Sequence, residues 1–339
     1  MGLHVALMFN LGKYDPPQDG EPPDAHAELD SERTVMAVAE ALRVGGHSVT
    51  LIEGNLDAYP ALRRIRPDIV YNICEGVRGE SRESQIPALL EMLGIPYTGS
   101  GPLALALSLD KPTAKKIFAY HNVATPRFRA FEPGEAIDTN GLRFPLFVKP
   151  AREGSSMGIS PDSRVLNAAE TTERVLYIHR AYHQAALVEE FLEGREFTVG
   201  LVGNQDPTVL PVMEVNYDPV PNYNGRIYDY QFKQEWDDWK YFHCPAPIPP
   251  DLEARVVATA IAAWRVLGCV DVGRVDVRLD ADGVPSALEV NPLPGLSPGY
   301  SDLCRQADVA GFGYTTLVNR ILDAAIDRYG LADRARAIV

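Results

Sequence analysis

The sequence predicts an α/β chain, and three observations predict it. The first hundred residues alternate short apolar runs with stretches of helical spacing, the pattern of a parallel sheet with helices on its faces. Farther on, strand-length runs follow one another around Glu193-Gly194 and across residues 272–291, as antiparallel hairpins do. The chain of 339 residues is too long for one ordinary domain, so two or three are expected.

The elements are predicted in order. Residues 3–9 are a first strand. Residues 31–44 carry Val35, Val38 and Leu42 at helical spacing and stop at Gly45-Gly46, a helix C-terminal signal. Residues 48–52 and 68–73 are strands, and 84–93 form a helix ending at Gly94. Residues 15–30 are polar and Pro-rich and read as a mobile surface loop beside the first strand. TGSG at 98–101 marks a boundary. A Lys-rich helix over 110–120, a strand over 144–149 stopped by Pro150, and a small-residue loop over 151–158 (AREGSSMG) follow. Strands are expected at 187–190 and 196–201. The polar, aromatic-rich segment 216–243 has little periodicity and reads as a lid. A helix over 252–267 precedes the last hairpin.

Composition excludes several functions. Apolar residues at 46% and charged residues at 23% exclude disordered and collagen-like chains. A net charge of −14 leaves no cationic surface for nucleic acid or anionic lipid. No run of 18 apolar residues offers a membrane span. Four cysteines, at 74, 244, 269 and 304, form no CxxC pair, so free thiols in a cytoplasmic setting are expected.

The last hairpin points to a metal. Asp282-Gly283 between alternating runs signals the turn. A two-residue turn puts Asp276 opposite Glu289 and Arg274 opposite Asn291, all four on one side. Val275, Val277 and Leu279 then meet Val290 and Leu288 on the other side as a core face. Opposed carboxylates about 5 Å apart repel unless a cation lies between them, and two carboxylates with an amide suit a hard ion such as Mg²⁺. The distal part of that face, Arg278, reads as wet. No GxxxxGK[ST] or GxGxxG is present. Lys149 at a strand end, followed by Glu153-Gly154-Ser155-Ser156-Met157-Gly158, is instead a loop whose N–H and hydroxyl groups suit phosphate oxygens.

Four segments together resemble the ATP-grasp superfamily, specifically D-alanine–D-alanine ligases and their relatives: 93–116 (LGIPYTGSGPLALALSLDKPTAKK), 147–158 (FVKPAREGSSMG), 188–200 (VEEFLEGREFTVG) and 273–296 (GRVDVRLDADGVPSALEVNPLPGL). The resemblance implies a three-domain enzyme holding ATP between two antiparallel sheets, with an N-terminal domain over 1–100 and ATP-grasp subdomains over 101–195 and 196–339. It implies an ATP-dependent carboxylate–amine ligase that forms an amide through an acyl phosphate. Carried over by position, Lys111 and Lys149 would contact the phosphates, Glu189 the adenine amine, the Leu192 backbone the ring, and Glu196 the ribose. Glu190 is the neighbouring candidate, since adjacent strand residues face opposite ways and only one of the two can face ATP. Ser155 and Ser156 would close over the phosphates, and Lys233 would reach the γ-phosphate from the lid. Asp276, Glu289 and Asn291 would bind Mg²⁺, or Mn²⁺ in its place. Arg274 would stabilise the transferring phosphoryl group. A homodimer and small-molecule substrates complete the implication.

The substrate end departs from the family pattern. A long stretch, 10–30, replaces a short Gly-rich loop, and Glu28 or Glu32 would hold a substrate ammonium. Cys74-Glu75-Gly76 stands where a His-Gly pair is usual, and Glu75 would favour a cationic group. Arg78 or Arg82 would favour an extra carboxylate. Gln234 follows Lys233 where a Tyr is usual. Ser297 to Asp302, with Gly295, Tyr300 and Ser301 as candidate contacts, replaces a Ser-His-Ser-Leu run. The expectation is a retained reaction on an altered amino-acid or carboxylate pair. A ligase for another pair, a non-catalytic ATP-binding module and a kinase releasing an acyl phosphate are the alternatives.

Overall fold

The computed structural model describes residues 2–12, 22, 24, 27–76, 78–220, 227–229, 232, 235 and 238–332. Three sheets organise them. The first is parallel, in the order β2-β1-β3, from β1 (His4–Phe9), β2 (Ser48–Glu53) and β3 (Ile69–Asn72). Alternate residues of β1 enter different cores. Val5, Leu7 and Phe9 pack with Val35, Val38 and Leu42 of α1 (Glu32–Val44), while Ala6 and Met8 pack with Leu62 of α2 (Ala58–Ile65) and Leu90 of α3 (Gln85–Leu93). Burial on both faces is why this strand reads as an unbroken apolar run. Helix α1 starts where Ser31 accepts from the Thr34 N–H at 3.2 Å.

The second sheet joins β4 (Phe128–Phe131), β5 (Leu146–Pro150), β6 (Arg164–Val165) and β7 (Ala186–Glu190) in the order β4-β7-β5-β6. Val175 and Ile178 of a covering helix, Ala168–Tyr182, pack on Leu146, Val148 and Val188. The third sheet runs β11-β10-β8-β12-β13, with β9 paired to β8. Its strands are β8 (Glu196–Val202), β9 (Thr208–Val209), β10 (Met213–Val215), β11 (Phe242–His243), β12 (Val272–Leu279) and β13 (Pro285–Asn291). Phe118 of the helix Lys111–Tyr120 and Trp264 of the helix Pro250–Val266 pack on its Phe197, Val199 and Val275 face.

The predicted strands and helices fall where expected to within a few residues, and others were not anticipated. Pro102–Leu109 (PLALALSL) has no polar stripe and hence no legible period. Asp110 stops it and caps the next helix through the Thr113 N–H at 2.8 Å. The helices Asp302–Val309 and Gly313–Arg328 were also unread, and the latter packs back on α1, with Asn319 Nδ2 donating to the Ala41 carbonyl at 2.9 Å. Among the described residues no helix is long and apolar enough to cross a membrane.

The final hairpin corrects the predicted turn. Leu279 pairs with Pro285, and the Asp280 N–H donates to the Val284 carbonyl at 3.1 Å. The loop is therefore three residues, 281–283, with Gly283 at φ 73° as such loops require. That would shift every pair by one. A bulge at Leu288 restores the count, so Asp276 does face Glu289 and Arg274 does face Asn291. The same bulge puts Ala287, not Leu288, in the core and sends Leu288 to the opposite side.

Candidate active site

A cleft of about 650 Å³ lies between the second and third sheets, and one of about 610 Å³ adjoins it. Residues of both antiparallel sheets line the first: Phe147, Lys149 and Glu189 from one, Glu196, Arg274 and Asp276 from the other. Arg274 and Glu289 line both clefts.

Pairing of β5 with β7 sets Lys149 beside Glu189, with 3.0 Å between Nζ and the carboxylate. Lys115 reaches the other carboxylate oxygen at 2.7 Å and donates to Thr125 Oγ1 at 2.8 Å. All three charges are buried. Burial opposes ionisation of Glu189, but the two lysines outweigh it and hold the carboxyl below the usual range. For Lys149, burial is likewise outweighed by Glu189 and Glu289, so its pKa rises. For Lys115 burial prevails over Glu189 and the pKa falls. Glu190 also lines this cleft, against the expectation that only one of the two would, but it is held by Arg143, whose N–H and Nη2 lie at 3.0 and 2.9 Å. Of the two neighbours, Glu189 is the one turned to the lysines. Leu192 lines the cleft with Phe191 and Phe147, whose rings are 5.9 Å apart, and with the displaced Leu288. These surfaces suit a flat aromatic base.

Glu196 accepts from Tyr217 Oη at 2.9 Å and from Arg278 at 2.8 Å. Burial raises its pKa despite Arg278. The expectation that Arg278 is wet is overturned. It is 5% exposed, donates to the Gly194 carbonyl at 3.2 Å and lies 4.5 Å over the Phe191 ring. Its neighbours on β8 and the apolar ring exclude water from a face that looks polar in the sequence.

The hairpin acids are networked. Asp276 accepts from Thr198 Oγ1 at 2.9 Å, from Arg274 at 3.2 and 3.1 Å, and from Asn291 Nδ2 at 3.1 Å. Arg274 also approaches Asp302 at 3.6 Å. Burial alone would weaken its charge, yet Asp276 and Asp302 raise its pKa further. Lys111 Nζ lies 3.6 Å from Glu289 and donates to the Glu153 carbonyl. The donor set fits the expected ion. With its amide nitrogen spent on Asp276, Asn291 keeps a carbonyl oxygen for a cation, and two carboxylates and an amide are hard oxygen donors.

Between the clefts runs the loop 151–158. Ser155, Ser156 and Gly158 all have positive φ, at 47°, 60° and 71°. A Cβ at Gly158 would come within 2.5 Å of the Pro150 ring, so only glycine fits. Ser155 faces the second cleft, while Ser156 faces the first and donates to the Tyr228 carbonyl at 2.8 Å. The segment read as a mobile loop anchors this turn. Asp24 is buried and accepts from the Gly158 N–H at 2.8 Å and Tyr182 Oη at 2.9 Å, and Glu28 accepts from the Gly154 N–H at 2.6 Å.

The structure chooses Glu28 over Glu32 as a cleft residue, since Glu32 is exposed on the first turn of α1. Glu75 lines the second cleft as expected, and Glu83 joins it. Burial raises the Glu75 pKa well above the carboxylate range, with Glu28 and Glu83 adding to it. Burial, then Glu28, raises Glu83 to about 8, and burial raises Asp30 to about 7. Arg82 does not offer itself to an extra carboxylate: Glu28 holds it at 2.6 Å and Glu153 at 3.0 Å. Arg78 is exposed. Gly295 lines the second cleft. Tyr300 is 41% exposed, and Ser301 spends its hydroxyl on the Ser297 N–H at 2.9 Å; neither lines the described clefts. Lys233 and Gln234 lie outside the described residues.

Sequence reasoning missed Lys115, Thr198, Arg278 and the aromatic walls. For Lys115 a signal existed: it stands four residues after Lys111 on one helix, hence on the same face.

The family model described as "D-ala D-ala ligase C-terminus" matches residues 122–323. A D-alanine–D-alanine ligase of Cupriavidus taiwanensis is 36% identical over 319 residues, covering 93% of this chain and 92% of its own. One of Syntrophotalea carbinolica is 36% identical, covering 87% and 91%. The uncharacterized protein y4sG of Sinorhizobium fredii is 37% identical, covering 88% of each. The crystal structure of a D-alanine–D-alanine ligase from Bacillus anthracis complexed with ATP superposes with a TM-score of 0.73 at 22% identity, covering 96% of this chain and 98% of that one. That last likeness concerns the fold.

Proposed function

The chain belongs to the D-alanine–D-alanine ligase family and is an ATP-dependent ligase of that kind, and from that premise we propose that it joins a carboxylic acid to an amine as an amide, through an acyl phosphate. The observation that carries the reading is that Arg274 and Glu289 line both clefts. The phosphate end of a nucleotide in the first cleft would then meet a carboxylate in the second.

The chemistry follows from the weakness of a carboxylate as an electrophile. A carboxylate oxygen attacks the γ-phosphorus of ATP, the bond to ADP breaks, and an acyl phosphate forms. The amine nitrogen then attacks the acyl carbon, phosphate leaves with that oxygen, and the surplus amine proton is lost. The first step needs positioning and positive charge against the phosphates. Lys111, Lys149 and Arg274 supply that charge, held in place by Glu289, Glu189 and Asp276. Ser155 and the N–H groups of its loop offer donors to phosphate oxygens. Asp276, Glu289 and Asn291 would hold Mg²⁺, or Mn²⁺, which when bound neutralises phosphate charge. Glu28 would receive a substrate ammonium.

D-alanine, named by the relatives, is the default for both substrates. One observation favours a second reading, an amide ligase for a different amino-acid pair. Glu28, Glu75 and Glu83 all line the second cleft, and Arg82 is taken up by Glu28 and Glu153. Such a lining receives additional positive charge better than an additional carboxylate. The unpaired state of all four cysteines supports a reducing, cytoplasmic setting, and a homodimer is part of the same proposal.

The test is phosphate release from ATP and Mg²⁺ with D- and L-amino acids, singly and in pairs, with the mass of each product. Turnover with D-alanine alone supports the default. Activity confined to pairs containing a diamino acid supports the second reading. Phosphate release that no amino acid or pair stimulates removes the proposal.

A further inference from the structure

We propose that Glu75 and Glu83 receive an ammonium on the side chain of the acid partner, so that this enzyme activates a diamino acid in preference to a neutral one. The inference rests on the ligase reading above and deepens its second form: it names the partner that carries the extra charge and the two residues that read it.

Two segments of the chain meet to build the pocket. Gly76 has φ 89°, and a Cβ there would overlap the Arg82 carbonyl oxygen. The glycine therefore lets residues 75–76 pack directly against the turn that carries Glu83. Ser84 fixes that turn, its Oγ donating to the Pro102 carbonyl at 2.8 Å. Both acids then line the second cleft together with Glu28.

The three carboxyl groups are not equivalent. Glu28 is engaged at both oxygens: Oε1 accepts from the Gly154 N–H at 2.6 Å and Oε2 from Arg82 Nη2 at 2.6 Å. A guanidinium thus already balances its charge. Glu83 is 8% exposed, yet among the described residues its carboxyl has no hydrogen bond and no ion pair, and neither has that of half-buried Glu75. The cations that act on Glu83 are each held by another acid, Arg82 by Glu28 and Lys111 by Glu289. A buried polar group without a partner is costly. An ammonium between the two acids supplies what both lack, N–H donors and a compensating charge.

The attachment points identify the partner. On the ligase reading, the carboxylate to be phosphorylated lies where Arg274 and Glu289 join the two clefts, and the α-ammonium lies on Glu28. The charge of Glu28 acts on both Glu75 and Glu83, so a side chain leaving the same α-carbon has those two acids as neighbours. A methyl group there leaves both unpartnered, and a further carboxylate adds to their repulsion.

The experiment traps the acyl phosphate of the full chain with hydroxylamine, so that the hydroxamate formed identifies the acid partner. With ATP and Mg²⁺, the rate is compared within pairs of equal side-chain length, in both chiral forms: diaminopropionate against aminobutyrate, diaminobutyrate against norvaline, ornithine against norleucine. In at least one pair the wild type is expected to favour the ammonium-bearing member about 10- to 100-fold in kcat/KM, the effect typical of a hydrogen bond to a charged group. Glu83→Gln and Glu75→Gln, made separately so that either can report if the other fails to fold, should each bring that ratio down about tenfold or to parity. Equal use of both members of every pair by the wild type, or preference for the neutral one, overturns the inference and leaves the ligase reading intact. So does an equal fall for both members in the variants, which would make the two acids structural. Absence of hydroxamate and of stimulated phosphate release with every acid fails at the ligase reading itself, and the inference falls with it.

Discussion

Lys115 Nζ stands 2.7 Å from the carboxylate of Glu189, and both side chains are buried. The pair ties the helix Lys111–Tyr120 to the second sheet, and the Lys115–Thr125–Ala287 hydrogen bonds extend the tie to the hairpin. Lys115→Met removes one of the two lysines on the Glu189 carboxylate and leaves Lys149 at 3.0 Å. It should therefore lower the unfolding free energy by about 1–3 kcal/mol, measured by urea denaturation. A loss under about 1 kcal/mol would show that the pair holds nothing together.

Glu289→Gln keeps the shape of the hairpin and removes one of its two facing carboxylates. Turnover should fall by about 100-fold or more, and the Mg²⁺ concentration giving half-maximal rate should rise. The urea midpoint should stay within error of the wild type. A variant with normal turnover and normal Mg²⁺ dependence would take the metal away from this ribbon.

Buried carboxyls of the second cleft, with Asp30 acting on Glu75, make the ligand-free protein sensitive to base. Glu83 titrates at about 8 and Asp30 at about 7, and Glu75 is shifted in the same direction, burial being the main cause in each. Each binds its proton more tightly folded than unfolded. Stability is then fully present below the unfolded carboxyl values near about 4 and is lost as pH rises through the folded values. The melting temperature should decline between about pH 5 and pH 9. Glu83→Gln should melt higher than the wild type at the alkaline end, with a shallower decline. A wild-type melting temperature that rises over that window would contradict the assignment.

Glu28 links three parts: it accepts from Gly154 in the phosphate loop, pairs with Arg82, and lines the substrate cleft. Glu28→Gln retains the acceptor for Gly154 and loses the charge. It should raise the KM of the ammonium-bearing substrate by about tenfold or more while the KM for ATP changes little. Equal changes in both would reassign Glu28 to loop positioning alone.

The hairpin shows what was legible in the sequence and what was not. Period-two alternation identified the strands, and the facing of Asp276 and Glu289 followed from a two-residue turn. The turn has three residues, and the bulge at Leu288 cancels the error at the site and nowhere else. Toward the turn each pair is displaced by one, so Leu288 left the predicted core and joined the cleft. Arg278 was misread because polarity in a sequence does not tell water from a buried partner: Glu196 is distant in the chain and adjacent in the sheet. The anchoring of the phosphate loop by Asp24 and Glu28 was hidden for a related reason. A Pro-rich polar stretch carries no period, and only tertiary packing shows that two of its acids cap backbone N–H groups far along the chain.

The most direct test of the acyl phosphate route uses an amino-acid pair that supports turnover, with ¹⁸O in both carboxylate oxygens of the acid partner, and mass spectrometry of the released phosphate. An acyl phosphate formed across the two clefts sends one labelled oxygen into each phosphate. Phosphate that carries no label, while the amide still forms, would contradict the account.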